Sequence, residues 1–278
     1  MSGGAVDGTT IRSVGVSVDV SVDVGAGAAM GVTNCLIAGV GGQGTILAAR
    51  VIGLAAMSRG MDVRGSETIG MAQRGGSVVS HVRMGRVDRA GGGTALRVHS
   101  PLVSPGEADV IVAFEPFEGA RVARFLAPGG LMVVCDRALV PPGQSAAAAS
   151  AAATAAAVAA RSAAAAGAAA ATATAARSVT AAGGSAINQP ATQAAGPAIA
   201  WLRAAVSRLA IVDGDALAES CGARFMNVAL LGAALAAGAF PFGADALEEA
   251  VSARVPPRLL EANLRALRYG QESYSMEG

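Results

Sequence analysis

Lysine is absent: all 21 basic side chains of the 278-residue chain are arginine, which removes Schiff-base and lysine-nucleophile chemistry. Cysteine is scarce. Cys35, Cys135 and Cys221 stand far apart, with no C-x-x-C pair and no even-numbered disulfide framework, so three reduced, buried and inert thiols are expected. Three isolated cysteines also fall short of the grouped set that an iron–sulfur cluster requires. The two histidines, His81 and His99, have no cysteine or paired carboxylate at metal-ligand spacing; both are expected to be structural. No run of about 18 strongly apolar residues occurs, and the start lacks a basic region followed by a Leu-rich segment. Neither a membrane span nor a signal peptide is expected, and the predicted location is cytoplasmic. Charge of one sign is lacking too: 21 basic against 20 acidic residues leave a net charge of +1, with no excess to draw nucleic acid or an anionic membrane.

The hydrophobic content of 53% is largely alanine, whose side chain buries little area, so the true core is smaller than that figure suggests. Residues 1–32 are rich in Gly, Ser, Val and Asp; Val14 to Val24 alternates like a strand, but no hairpin partner lies nearby. A disordered arm is expected over 1–32, followed by a single domain over 33–278. Strands are predicted at Cys35–Ala38, Val78–Met84, Val110–Phe114, Leu131–Cys135 and Ala210–Val212. Helices are predicted at Thr45–Ser58, Pro116–Leu126, Ala198–Ser207, Ala216–Ser220, Arg224–Ala237, Ala244–Ala253 and Pro257–Arg268. Such alternation indicates an α/β layered fold. It is interrupted at about 145–195 by an Ala-rich, low-complexity tract with Arg161 and Arg177.

Gly39, Gly41 and Gly44 fit G-x-G-x-x-G between a strand and a helix, where backbone amides and a helix N-terminus can hold phosphate. A tight turn without ligand satisfies the same pattern, and a dinucleotide site would need Asp62 or Glu67 as its acidic partner. The segment Gly65–Ser77 packs polar side chains and glycines between two apolar runs and reads as a binding loop, in which Arg74 beside Gly75-Gly76 could clamp a phosphate or carboxylate or pair with another subunit. Glu115 and Glu118 suit the start of a helix. Asp213-Gly214-Asp215 imitates a thiamine diphosphate motif, but its asparagine, Asn227, follows too soon. No G-x-S-x-G elbow exists for a serine nucleophile.

In order along the chain, Val40–Gly44 (V-G-G-Q-G), Ser66–Arg83 (S-E-x-x-G-M-A-Q-R-G-G-S-V-x-S-H-V-R) and Phe114–Arg121 (F-E-P-x-E-x-x-R) resemble the gamma-type domain of 2-oxoacid:ferredoxin oxidoreductases. Val212–Ala218, Asn227 with Leu230-Leu231-Gly232, and Asn263 ahead of Tyr269-Gly270 resemble its second half. The wording around Met71–Arg83 is similar to the indolepyruvate-type beta subunit. The resemblance implies a three-layer Rossmann-like domain with a helical C-terminal part. It also implies a large alpha subunit carrying thiamine diphosphate and [4Fe-4S] clusters, ferredoxin as electron acceptor, an aryl-acetyl-CoA product, and no redox cofactor or catalytic residue on this chain. Coenzyme A could meet the glycine loop. The candidate cofactor-binding set is Gly39, Gly41, Gly42, Gln43, Gly44, Thr45, Glu67, Gln73, Arg74, Gly75, Gly76 and Asn227. A stand-alone nucleotide-binding oxidoreductase and a purely structural docking subunit are the alternatives.

Because the Ala-rich tract has almost no large apolar side chains to bury, replacing 145–189 by a short Gly/Ser linker is expected to leave the unfolding temperature nearly unchanged. Loss of cooperative thermal unfolding in a calorimetric scan would show that the tract packs.

Overall fold

The computed structural model describes residues 16–19, 31–69, 76–86, 97–138 and 191–275. Cys35 to Ala38 is an unbroken apolar run, the pattern of a strand covered on both faces, and all four side chains are fully buried in β2 (Val32–Val40). The glycines after it turn the chain into α1 (Thr45–Ser58), whose bounds match those predicted. β3 (Asp62–Ile69) and β4 (Ser77–Gly85) return beside β2, and β5 (Ala108–Ala113) lies on its other edge. A short helix, α2 (Pro116–Val122), and a 3-10 turn lead into β6 (Leu126–Cys135). Beyond α3 (Ala191–Ala205) and β7 (Arg208–Val212) the chain is helical: α4 (Gly214–Cys221), α5 (Met226–Ala236), α6 (Ala244–Arg254) and α7 (Pro257–Ser275).

The strands form one sheet in the order β1-β7-β6-β5-β2-β4-β3, where β1 is Val16–Asp19. β2, β5, β6 and β7 run parallel, while β4 is antiparallel to β2, β3 to β4 and β1 to β7. Alternate residues face opposite sides. Cys35, Ile37, Val112 and Val133 pack with Ile52 of α1 and Leu230 and Leu231 of α5. Leu36, Ile111 and Met132 pack with Trp201 and Leu202 of α3. This is the expected three-layer α/β arrangement with a helical C-terminal part.

Three elements depart from the sequence reading. β3 occupies much of what reads as a binding loop, because Gly65, Ser66 and Thr68 mask its alternation and pairing with β4 supplies what propensity does not. Val16–Asp19, inside the arm expected to be loose, adds an antiparallel edge strand. Its partner β7 lies far along the chain, where a search for a local hairpin does not reach. α3 begins at Ala191, inside the low-complexity tract. Residues 1–15 and 20–30 of the arm, and residues 139–190, lie outside the described residues, while Val32 at the end of the expected arm already belongs to β2.

Two glycines set the crossing of α5 and α7. A Cβ on Gly232 would strike the carbonyl oxygen of Leu267, and one on Gly270 the carbonyl oxygen of Ala229. The helix backbones therefore touch, leaving no room for even a methyl group. Overpacking typically costs about 1–3 kcal/mol, and each kcal/mol lowers the melting temperature of a domain this size by about 2–4 °C. Gly232→Ala and Gly270→Ala should therefore each reduce it by roughly 2–12 °C, whereas Gly196→Ala in α3, with nothing within 4 Å of its Cβ position and no positive φ, tests the cost of a lost glycine where no neighbour is met. Scanning calorimetry would expose an error if the first two variants melted no lower than the third.

Candidate functional site

The carboxyl end of β2 is where the chain leaves the parallel part of the sheet, the position at which open α/β sheets hold ligands. There the backbone turns through Gly42 (φ 96°) and Gly44 (φ 86°), both left-handed conformations that favour glycine. Gly44 also makes a close approach, since a Cβ there would strike the amide nitrogen of Asn227. Gly42 is exposed, with open space around its Cβ position.

Gln43 ties this loop down. Its side-chain Oε1 accepts from the Val40 N–H at 2.6 Å, and its Nε2 donates to Glu115 Oε1 at 2.9 Å. From the other side, the Gly41 N–H donates to the Gly76 carbonyl at 3.0 Å. Glu115 is almost wholly buried, and so is Glu118, which accepts from the Ser77 hydroxyl and lies 3.4 Å from Arg121. Both carboxylates sit at the start of α2, as the sequence suggests. Glu115, however, makes no capping hydrogen bond there: its carboxylate reaches across to Gln43 instead.

α1 begins directly from this loop with no side-chain cap and no acidic residue in its first turn. α5 begins opposite, also uncapped and without an acid in its first turn. Beside the glycine loop and the start of α5 a cavity of ≈ 100 Å³ is lined by Gln43, Phe114, Arg137, Met226 and Asn227 among others. Arg137 follows β6; its Nε is buried without a hydrogen-bond partner, 3.6 Å from Asp215 Oδ1. Next to it, burial holds the Asp136 carboxyl above its ordinary range, although its Oδ1 accepts from the Gly214 N–H. Burial also pushes the Cys135 thiol up to about 12. Asp213 caps α4 through the N–H groups of Asp215 and Ala216, giving the thiamine-like motif a structural role.

Residues 34–273 match the family described as pyruvate ferredoxin/flavodoxin oxidoreductase. The chain belongs to that family. It is 32% identical over 238 residues to indolepyruvate oxidoreductase subunit IorB of Archaeoglobus fulgidus, covering 85% of this chain and 92% of the relative. Against the IorB of Pyrococcus horikoshii it is 30% identical over 237 residues, covering 85% and 93%. Among solved structures, the keto/oxoacid ferredoxin oxidoreductase gamma subunit of Geobacter sulfurreducens superposes with a TM-score of 0.50 at 19% identity, over 88% of this chain and 99% of that one. The 2-oxoglutarate:ferredoxin oxidoreductase of Magnetococcus marinus, with 2-oxoglutarate, coenzyme A and succinyl-CoA bound, superposes with a TM-score of 0.52 at 16% identity, over 88% of this chain and 31% of that one. The fold is that of the gamma subunit of keto-acid ferredoxin oxidoreductases.

Within this oxidoreductase-family fold, Gly39, Gly41, Gly42, Gln43, Gly44 and the buried Thr45 gather with Gly76 and Asn227. Glu67 does not join them. It lies mid-strand on β3, level with Ser80 and Ile37, and its carboxylate is 3.9 Å from Arg50 of α1. It lines a separate groove of ≈ 470 Å³ that contains none of the glycine-loop residues. Gln73, Arg74 and Gly75 lie outside the described residues. His81 is buried, accepts from the Val103 N–H through Nδ1 at 3.2 Å and packs edge-on against Phe125; burial lowers its pKa. Among the described residues no group of three or more His, Cys, Asp or Glu could hold a metal ion. The sequence reading passed over Arg137. The signal that could have found it is positional, a charged residue just past the carboxyl end of a parallel strand.

The Gln43–Glu115 contact can be tested through charge. Gln43→Glu keeps the shape but places a second carboxylate against Glu115, and two carboxylates at that distance must share a proton. Their folded pKa then rises above the unfolded value of about 4.3. Their contribution to stability is present below that value and is lost as pH rises through the folded pKa. Thermal unfolding should show the variant falling further below the parent at about pH 8 than at about pH 5; an equal deficit at both would remove the contact.

Proposed function

We propose that this chain is the cofactor-free subunit of an indolepyruvate-type 2-oxoacid:ferredoxin oxidoreductase, and that its glycine loop receives the phosphates of coenzyme A. The observation that carries the reading is the uncapped start of α1, set on a loop held by Gln43 and Gly76 and open to solvent at Gly42. Backbone N–H groups at such a helix start favour an anion, and the residues present fit a phosphate. Match along nearly the full length of the IorB relatives supports the subunit assignment. In this reading a large alpha subunit carries thiamine diphosphate and [4Fe-4S] clusters, decarboxylates an aryl pyruvate and passes electrons to ferredoxin. Coenzyme A supplies the thiol that takes up the acyl group. This chain's residues bind and orient its phosphates.

Gly39, Gly41, Gly42, Gln43, Gly44, Thr45, Gly76 and Asn227 form the loop side of the site. Gln73, Arg74 and Gly75, which precede Gly76 in sequence, belong to the same proposal, with Arg74 as a charged clamp. Kinetics on the complex reconstituted with the large subunit test it. Arg74→Ala should raise the apparent constant for coenzyme A by roughly 10- to 150-fold, the span of a charge-assisted hydrogen bond, with the 2-oxoacid constant little changed. Gly42→Val should act in the same direction, with its melting temperature recorded because φ at Gly42 strains any side chain. If Arg74 instead anchors the partner, its removal will lower activity only at dilute protein. Turnover by this chain alone, or stoichiometric iron in a clean preparation of it, would overturn the assignment.

A further inference from the structure

The cavity beside the glycine loop has an electrostatic character that the loop alone does not explain. The start of α5 lines it through Met226 and Asn227, and α1 begins two residues after Gln43, which also lines it; both helices lack an N-cap side-chain hydrogen bond and a first-turn acid. A helix start carries a partial positive charge, although the Val228 N–H of α5 is already taken by Asn227 Oδ1. Asn227, 7% exposed, lines the cavity. Its Oδ1 accepts from the Val228 N–H, and its amide nitrogen lies against Gly44 of the glycine loop. Arg137 Nε lies in the same wall, buried and without a hydrogen-bond partner. A buried donor left unmade is costly. The Arg137 Nε and the Asn227 amide therefore meet at one cavity, and among the described residues the Nε has no hydrogen-bond acceptor, only the Asp215 carboxylate at 3.6 Å.

The surrounding acids are engaged elsewhere. Glu115 is bonded to Gln43, Asp136 to the Gly214 N–H and Asp213 to the start of α4. Asp215 approaches Arg137 at 3.6 Å from the solvent side, with 57% of its side chain exposed, so it offsets the guanidinium only in part. The volume of ≈ 100 Å³ is far below the roughly 300–1,000 Å³ of sites that enclose a whole small molecule. It suits one compact anionic group of a larger ligand lying outside.

We infer that Arg137 and Asn227 form an anion subsite that takes a phosphoryl group of the ligand at the glycine loop, with Arg137 as its charged donor. This deepens the proposed function and rests on its premise that the loop meets a phosphate-bearing ligand. The guanidinium offers a fork that matches two phosphate oxygens, and the Asn227 amide and the two helix starts complete the ring of donors.

Calorimetric titration of the full chain with coenzyme A, and separately with inorganic pyrophosphate, reads binding without turnover. Arg137→Gln should weaken coenzyme A by roughly 10- to 150-fold, and pyrophosphate should compete with coenzyme A on the parent chain. Asn227→Asp, which keeps the shape and brings a negative charge into the cavity, should weaken both ligands; it serves as the test if Arg137→Gln does not fold. Unchanged affinity in either folded variant overturns the inference, as does the absence of heat with both ligands on the parent chain. Weakening by Gly42→Val without weakening by Arg137→Gln would sink the subsite while the proposed function stands. Unchanged affinity in all three variants would remove both.

Discussion

The fold is organised on β2, a central strand with a parallel neighbour, β5, on one edge and an antiparallel neighbour, β4, on the other. Its register with β5 fixes the parallel half of the sheet, and its register with β4 fixes the returning half. A slip of one residue would exchange Cys35 and Ile37 with Leu36 and Ala38 between the two cores. Such a slip is excluded because each face already meets a different set of helices. The same pairing that orders the core therefore sets where the chain must leave β2, between Val40 and the first turn of α1.

At that exit the backbone must turn within a few residues and, on the proposed reading, still leave amides for a ligand. Glycine supplies the turn, and Gln43 supplies the rigidity that glycine lacks by bonding Val40 on its own strand and Glu115 beyond the next. The arrangement also manages charge. A buried carboxylate so close to the proposed anion site would repel a ligand there, but Glu115 is held by the Gln43 amide. Arg137 and two helix starts add positive potential on the opposite side, where a low dielectric strengthens it.

What the sequence makes legible follows from how local the cause is. The strand, glycine turn and α1 could be read because apolar run, glycine and helical period all lie within 25 residues, 34–58, and the boundaries of α1 agree with the structure. β1 and β3 escaped that reading because their evidence is non-local: β1 depends on β7, and the polar residues of β3 become a strand only against β4. In the candidate site, Gly39 to Thr45, Gly76 and Asn227 are brought together, whereas Glu67, chosen from its position in a motif, is turned toward Arg50. Arg137 carries no motif. Only the parallel order of β5, β6 and β7 shows that residues after Cys135 reach the glycine loop.

The glycines of α5 and α7 belong to the same argument, although they lie away from the site. Asn227 precedes Gly232 by five positions on one rigid helix, so the place of its side chain against Gly44 follows from where α5 can sit. That place is set by backbone contact at Gly232 and Gly270, which brings α5 onto α7 more closely than any side chain would permit. A helix held by side-chain contacts could shift by repacking; one held by its own backbone has no such latitude. The close helix crossing therefore contributes to the geometry of the candidate site as well as to stability, by keeping the Asn227 amide and the start of α5 against the glycine loop.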